Sequence, residues 1–133
     1  MSKVCFADSG GFFALASERD RRHAAAVARL ASCSTLITTR LVVIETVSLL
    51  TKRLSRFHAR HWYQRLKQSS GVEIRDYSAE MFGEAEKLWQ SHRDKEWDLI
   101  DCYSFCVMRR EGIAIALAFD EHFQQAGFEI VAS

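Results

Sequence analysis

Short apolar runs alternate along this chain with longer stretches of helical period. Residues 3–7 (KVCFA), 35–39 (TLITT), 72–77 (VEIRDY), 113–119 (IAIALAF) and 128–132 (FEIVA) are brief, mostly β-branched or aromatic, and bounded by turn formers or charges. That pattern predicts five strands. Between them lie SGGFFALA (9–16), the alanine-rich RRHAAAVARLAS (21–32), LVVIETVSLLTKRL (41–54), RFHARHWYQRLKQ (56–68), SAEMFGEAEKLWQSH (78–92), LIDCYSFCVMRREG (99–112) and EHFQQAG (121–127). In LVVIETVSLLTKRL the apolar positions 42, 43, 46 or 47, 49, 50 and 54 give a wide buried helix face. Ser78 is a predicted N-cap, and Gly112 a predicted helix stop. Strands alternating with helices predict one α/β domain over residues 1–133, a five-stranded parallel sheet with helices on both faces.

One residue breaks the apolar pattern. Glu45 lies inside LVVIETVSLL, where neither a helix cap nor an ordinary surface position explains it. A carboxylate taken out of water costs several kcal/mol unless it is paired or binds a metal. Arg40 is the candidate for a structural partner. Three further acids gain interest from the predicted topology. Asp8 follows the first strand and Asp120 the fourth, and Asp101 opens the helix that leads into the fourth strand. Ligands of such sheets bind at the carboxyl ends of the strands, where strand order reverses. Each acid alone also has an ordinary use: Asp8 and Asp120 as helix caps, Asp101 as a first-turn acid. As a set they fit a hard divalent cation, which takes oxygen ligands and can turn a bound water into a nucleophile against a phosphodiester.

Charge narrows the partner. The formal total of +1 hides six basic and no acidic residues between Thr46 and Val72, against nine acidic and four basic from Glu73 to Asp101. A basic segment beside an acidic cluster suits a polyanion with its phosphates near the metal. His58, His61, Trp62 and Tyr63 lie in that segment; stacking on bases is one use for them, and packing of a helix pair or dimer face is preferred. His122, next but one to Asp120, is expected at the surface, since nearness in sequence is no statement of geometry. The four cysteines, Cys5, Cys33, Cys102 and Cys106, show no zinc spacing and are expected as buried free thiols. No apolar run reaches the roughly 18–20 residues of a membrane span, and MSKVCFADSG lacks a signal-peptide pattern, so a soluble cytoplasmic protein is expected.

The segments VCFADSGGFFAL, TTRLVVIETVSLL, EWDLIDCYSFCVMRREGI and ALAFDEHFQQAGF resemble, in order, the successive motifs of the PIN domain family in its VapC-like toxin branch. The resemblance implies a ribonuclease dependent on Mg²⁺ or Mn²⁺, frequent homodimers and a small antitoxin partner. It assigns Asp8, Glu45, Asp101 and Asp120 to the metal, Asp8 and Asp101 closest to it, and sets Ser9 beside them as a hydroxyl able to bond a carboxylate, a water or phosphate. Gly10, Ile100 and Ala118 depart from the polar residues usual at their positions, and Asp98 stands where Ser is common. The alternatives are a PIN-like module that binds RNA or protein without cutting, and a Mg²⁺-dependent phosphatase. The second lacks the Asp-x-Asp that such phosphatases carry after the first strand, because Ser9 and Gly10 follow Asp8.

Overall fold

The structure, a computed structural model, describes residues 3–131. Five strands, β1 (Val4–Ala7), β2 (Thr35–Thr39), β3 (Val72–Arg75), β4 (Ile115–Leu117) and β5 (Glu129–Ile130), form one all-parallel sheet in the order β3-β2-β1-β4-β5. Helices α1 (Ser9–Ala16) and α2 (His23–Leu30) connect β1 to β2, α3 (Arg40–Arg53) and α4 (Arg56–Gln68) connect β2 to β3, α5 (Ala79–Ser91) and α6 (Leu99–Glu111) connect β3 to β4, and α7 (His122–Gln125) precedes β5. Right-handed crossovers put α1–α4 on one face and α5–α7 on the other. The expected fold class is therefore the observed one.

Burial on both faces explains why the strands read as continuous apolar runs. Cys5, Phe6 and Ala7 of β1 and Ala116 and Leu117 of β4 are fully buried. Phe6 packs on Phe123, which meets Phe105 edge-on at 4.9 Å between ring centres. On the opposite face Phe12 of α1 meets Trp62 of α4 at 5.3 Å, so Trp62 is a packing residue, as preferred from the sequence. The helices α1–α4 leave an apolar groove of 560 Å³ whose lining includes Leu15, Leu30, Leu54, Trp62 and Leu66.

Most helix ends lie where the sequence put them. Ser78 Oγ accepts the Met81 amide at 3.2 Å, and Gly112 closes α6 in the left-handed region at φ 68°. Three expectations need correction. The strand expected over 113–119 keeps only Ile115–Leu117: its partner β1 ends at Ala7, opposite Leu117, and the Leu117 carbonyl instead accepts the Asp8 amide at 3.2 Å. The last strand is only Glu129–Ile130, and Ala132 of the expected run lies outside the described residues. Finally, Cys5 and Cys33 form a disulfide, with Cα atoms 5.9 Å apart, instead of standing as free thiols. The parallel pairing of Val4 with Thr35, extended by a bond from the Ser34 amide to the Lys3 carbonyl, brings together two cysteines 28 positions apart. Cys102 and Cys106 are free, and burial pushes the Cys102 thiol up to about 12, which leaves it inert.

Candidate metal centre

The strand order reverses at β1: the chain leaves it toward β2 on one side, and β4 later pairs with it on the other. Asp8 is the first residue past β1 at that point and only 4% exposed. It occupies the N-cap position of α1, yet its side chain makes no capping bond, so the ordinary explanation for this acid fails. Helix α1 starts close under β4 because residue 11 is glycine; a Cβ there would collide with the Leu117 carbonyl. The same carbonyl that anchors the Asp8 amide thus also sets how near α1 lies.

Glu45 comes from the second turn of α3, whose start is fixed by Thr39 Oγ1 accepting the Val42 amide at 3.2 Å. It is half-buried at the rim of the core, facing Ser9. Arg40 does not neutralise it; that guanidinium binds Asp76 at 2.7 Å. Asp101 enters from the first turn of α6 and is 7% exposed. A capping box holds it: the Asp101 amide donates to Asp98 Oδ1 at 2.7 Å, and the Asp98 amide donates to Asp101 Oδ2 at 3.2 Å. Asp98, a departure from the family pattern, thereby supplies the cap and a further negative charge. Asp120 sits past β4, where its Oδ1 accepts the His122 amide at 3.0 Å.

The four acids lie near enough for their charges to act on one another. Burial pushes the Asp8 carboxyl well above its ordinary value, and the negative charges of Asp101, Asp120 and Glu45 push the same way. Burial also raises Glu45, with Asp98 and Asp120 adding to the shift and the Ser9 side chain opposing it. Asp101 is pushed up to about 6, first by burial and then by Asp98. Among the described residues no Lys or Arg pairs with any of the four. A group of oxygen donors, Asp8 and Asp101 buried, Glu45 half-buried and Asp120 exposed, mutually repelling and without a Lys or Arg partner, has the charge and donor chemistry that a divalent ion requires.

The residue that sequence reasoning misplaced is His122. Instead of facing solvent it stands in the cluster, 24% exposed, with Nδ1 2.9 Å from Asp101 Oδ2. One donor atom each of Asp101, Asp120 and His122 fall within 4.8 Å of one another. The available signal was the Asp-x-His spacing immediately after a strand; the short turn it makes returns the ring to the strand end.

The PIN domain pattern matches residues 5–129. The 23S rRNA-specific endonuclease VapC20 of Mycobacterium tuberculosis is 32% identical over 126 residues, covering 94% of this chain and 95% of that protein. In three dimensions the chain is similar to the crystal structure of the same bacterium's VapC20, a Sarcin-Ricin loop cleaving toxin, with a TM-score of 0.88 and 31% identity over 95% of this chain and 96% of that one. FitAcB from Neisseria gonorrhoeae gives a TM-score of 0.64 at 16% identity, covering 96% and 95% of the two chains, a likeness of fold alone. With the family pattern spanning nearly the whole sheet and a relative above 30% identity along nearly the whole length, the chain belongs to the PIN domain family.

Proposed function

We propose that this protein is a divalent-metal-dependent endoribonuclease that hydrolyses RNA phosphodiester bonds, and the toxin of a toxin–antitoxin pair acting in the cytoplasm. The observation that carries the reading is the convergence of Asp8, Glu45, Asp101 and Asp120 without a basic partner at the carboxyl end of the sheet. Mg²⁺ or Mn²⁺ is the ion proposed. When bound, such an ion supplies charge that acidifies a water and stabilises a leaving oxygen. Asp8 and Asp101, the most buried of the set, would hold it, Glu45 and Asp120 would add further oxygen donors, and the Ser9 hydroxyl would hydrogen-bond Glu45. The capping box fixes Asp101 before any substrate arrives, so the site is preorganised at that position. Exposed Arg56, Arg60, Arg65 and Lys67 along α4 give the basic surface for the RNA backbone.

Ribosomal RNA is the first substrate to offer, by likeness to the relative that acts on 23S rRNA. A homodimer and a small antitoxin are the proposed partners, and the apolar groove between α1–α4 offers unpolar surface of the kind such contacts cover. A closed disulfide is uncommon in the cytoplasm, so trapping of the Cys5 and Cys33 thiols in intact cells checks the proposed compartment.

The test is cleavage of labelled ribosomal RNA stem-loops and unstructured RNA, with Mg²⁺, with Mn²⁺ and with EDTA. Wild type is compared with folded Asp8→Asn. Cutting that needs the ion and disappears in the variant is the expected result. Equal cutting by both proteins would mean a contaminant and would end the reading. Light scattering of the chain alone reports whether it dimerises.

A further inference from the structure

His122 brings a nitrogen donor into a site otherwise built from oxygens. Its amide donates to Asp120 Oδ1 at 3.0 Å, which fixes the turn that returns the ring to the cluster. Nδ1 stands 2.9 Å from Asp101 Oδ2 and 3.8 Å from Asp120 Oδ2. On an octahedral ion with bonds of roughly 2.1 Å, adjacent ligands stand about 3 Å apart and opposite ones about 4 Å. Both distances fall in that range, and one donor atom of each of the three residues lies within 4.8 Å of the others, so the three are spaced as ligands of one ion. Asp101 cannot swing away easily, since its Oδ2 also holds the Asp98 amide at 3.2 Å.

We propose that His122 is a nitrogen ligand of the cation held by Asp101 and Asp120, and that it makes the site favour Mn²⁺ over Mg²⁺. This rests on the reading of the acidic cluster as a metal centre. Mg²⁺ takes oxygen ligands and gives up water reluctantly, whereas imidazole suits transition-metal ions. Swapping one oxygen ligand for imidazole therefore moves the preference of the site without changing its shape. Ligation through Nδ1 needs the neutral tautomer with its hydrogen on Nε2. Without an ion the other tautomer serves, with Nδ1–H donating to Asp101 Oδ2. The rival arrangement keeps that second geometry throughout, with His122 only orienting Asp101.

Pulsed electron paramagnetic resonance of Mn²⁺ bound to the wild-type protein separates the two. The expected result is a coupling to a directly bound imidazole nitrogen, which changes when histidine is labelled with ¹⁵N and is absent in His122→Gln. Calorimetric titration with each ion should show the Mn²⁺ to Mg²⁺ affinity ratio falling about tenfold in His122→Gln, with Mg²⁺ affinity nearly unchanged. Mn²⁺ bound by wild type without nitrogen coupling overturns the proposal and leaves the nuclease site standing. Wild type that binds neither ion overturns both. The wild-type spectrum decides even if the variant fails to fold.

Discussion

Arg40 is ion-paired with Asp76 at 2.7 Å, and Glu45, five residues along the same helix, is left without a cation. The residue that sequence reading offered as a structural partner is thus occupied elsewhere, and the glutamate is left open to a group from outside the chain. Glu45→Gln preserves size and the neighbouring Ser9 contact. Cleavage should fall by about 100-fold or more if the proposed metal site loses a ligand charge. Circular dichroism should be unchanged, and a variant as active as wild type would remove Glu45 from the site.

Asp8→Asn should separate activity from stability. The buried carboxylate sits among three others, so its removal relieves repulsion as well as desolvation. Without metal the variant should melt at a higher temperature than wild type at neutral pH, a gain of about 1–3 kcal/mol, while RNA cutting is lost. A lower melting temperature in the ion-free variant would contradict the account of this cluster.

The same repulsion gives a pH dependence of defined sign. Asp8, Glu45 and Asp101 bind protons more tightly folded than unfolded, Asp101 titrating at about 6 against an ordinary 3.8. Where the native state holds more protons, stability falls as pH rises. Their contribution is therefore most favourable below the ordinary carboxylate range and is lost as pH climbs through about 6 and beyond. Asp20 works in reverse, since the Arg22 amide holds its carboxyl low. Comparison with Asp8→Asn removes that background. Melting in EDTA from pH 5 to pH 7.5 should lower wild type more than the variant, and Mn²⁺ should restore wild type most at the higher pH. Parallel curves for the two proteins would refute this.

Gly11→Ala probes how the site is spaced. Its Cβ would collide with the Leu117 main-chain carbonyl, an atom that cannot move without shifting β4. A loss of about 3 kcal/mol is expected in chemical denaturation, together with weaker Mn²⁺ binding as α1 and Asp8 are pushed from β4. Wild-type stability would show that α1 has room to adjust.

Tyr103→Phe serves as a control on α6. The phenol oxygen, on a side chain only 1% exposed, accepts the Ser78 amide at 2.9 Å, tying α6 to the start of α5. The variant leaves that amide unpaired and should lose about 1–2 kcal/mol. Tyr103 lies two positions from Asp101 and so on another side of the helix. RNA cutting should remain within about twofold of wild type; a large loss would tie this bond to the site.

The sequence carried the fold where pattern and physics coincide. Fully buried strands read as β-branched and apolar runs, and caps such as Ser78 and Gly112 are set by local backbone chemistry. The strand over 113–119 was overread because composition does not reveal where a partner strand ends. Glu45 was legible because a charge inside an apolar run is costly wherever the chain goes. His122 and the Cys5–Cys33 pair were not: both depend on which segments the sheet brings side by side, and neither leaves a mark in local periodicity.

The capping box at α6 has a further use. The amide of Asp98 donates to Asp101 Oδ2 at 3.2 Å. Its nuclear magnetic resonance frequency must register any change in the electron density of that carboxylate, whether from a proton, an ion or an approaching phosphate. The fold thus carries its own reporter, readable in ¹⁵N-labelled protein without a dye, a labelled substrate or a mutation.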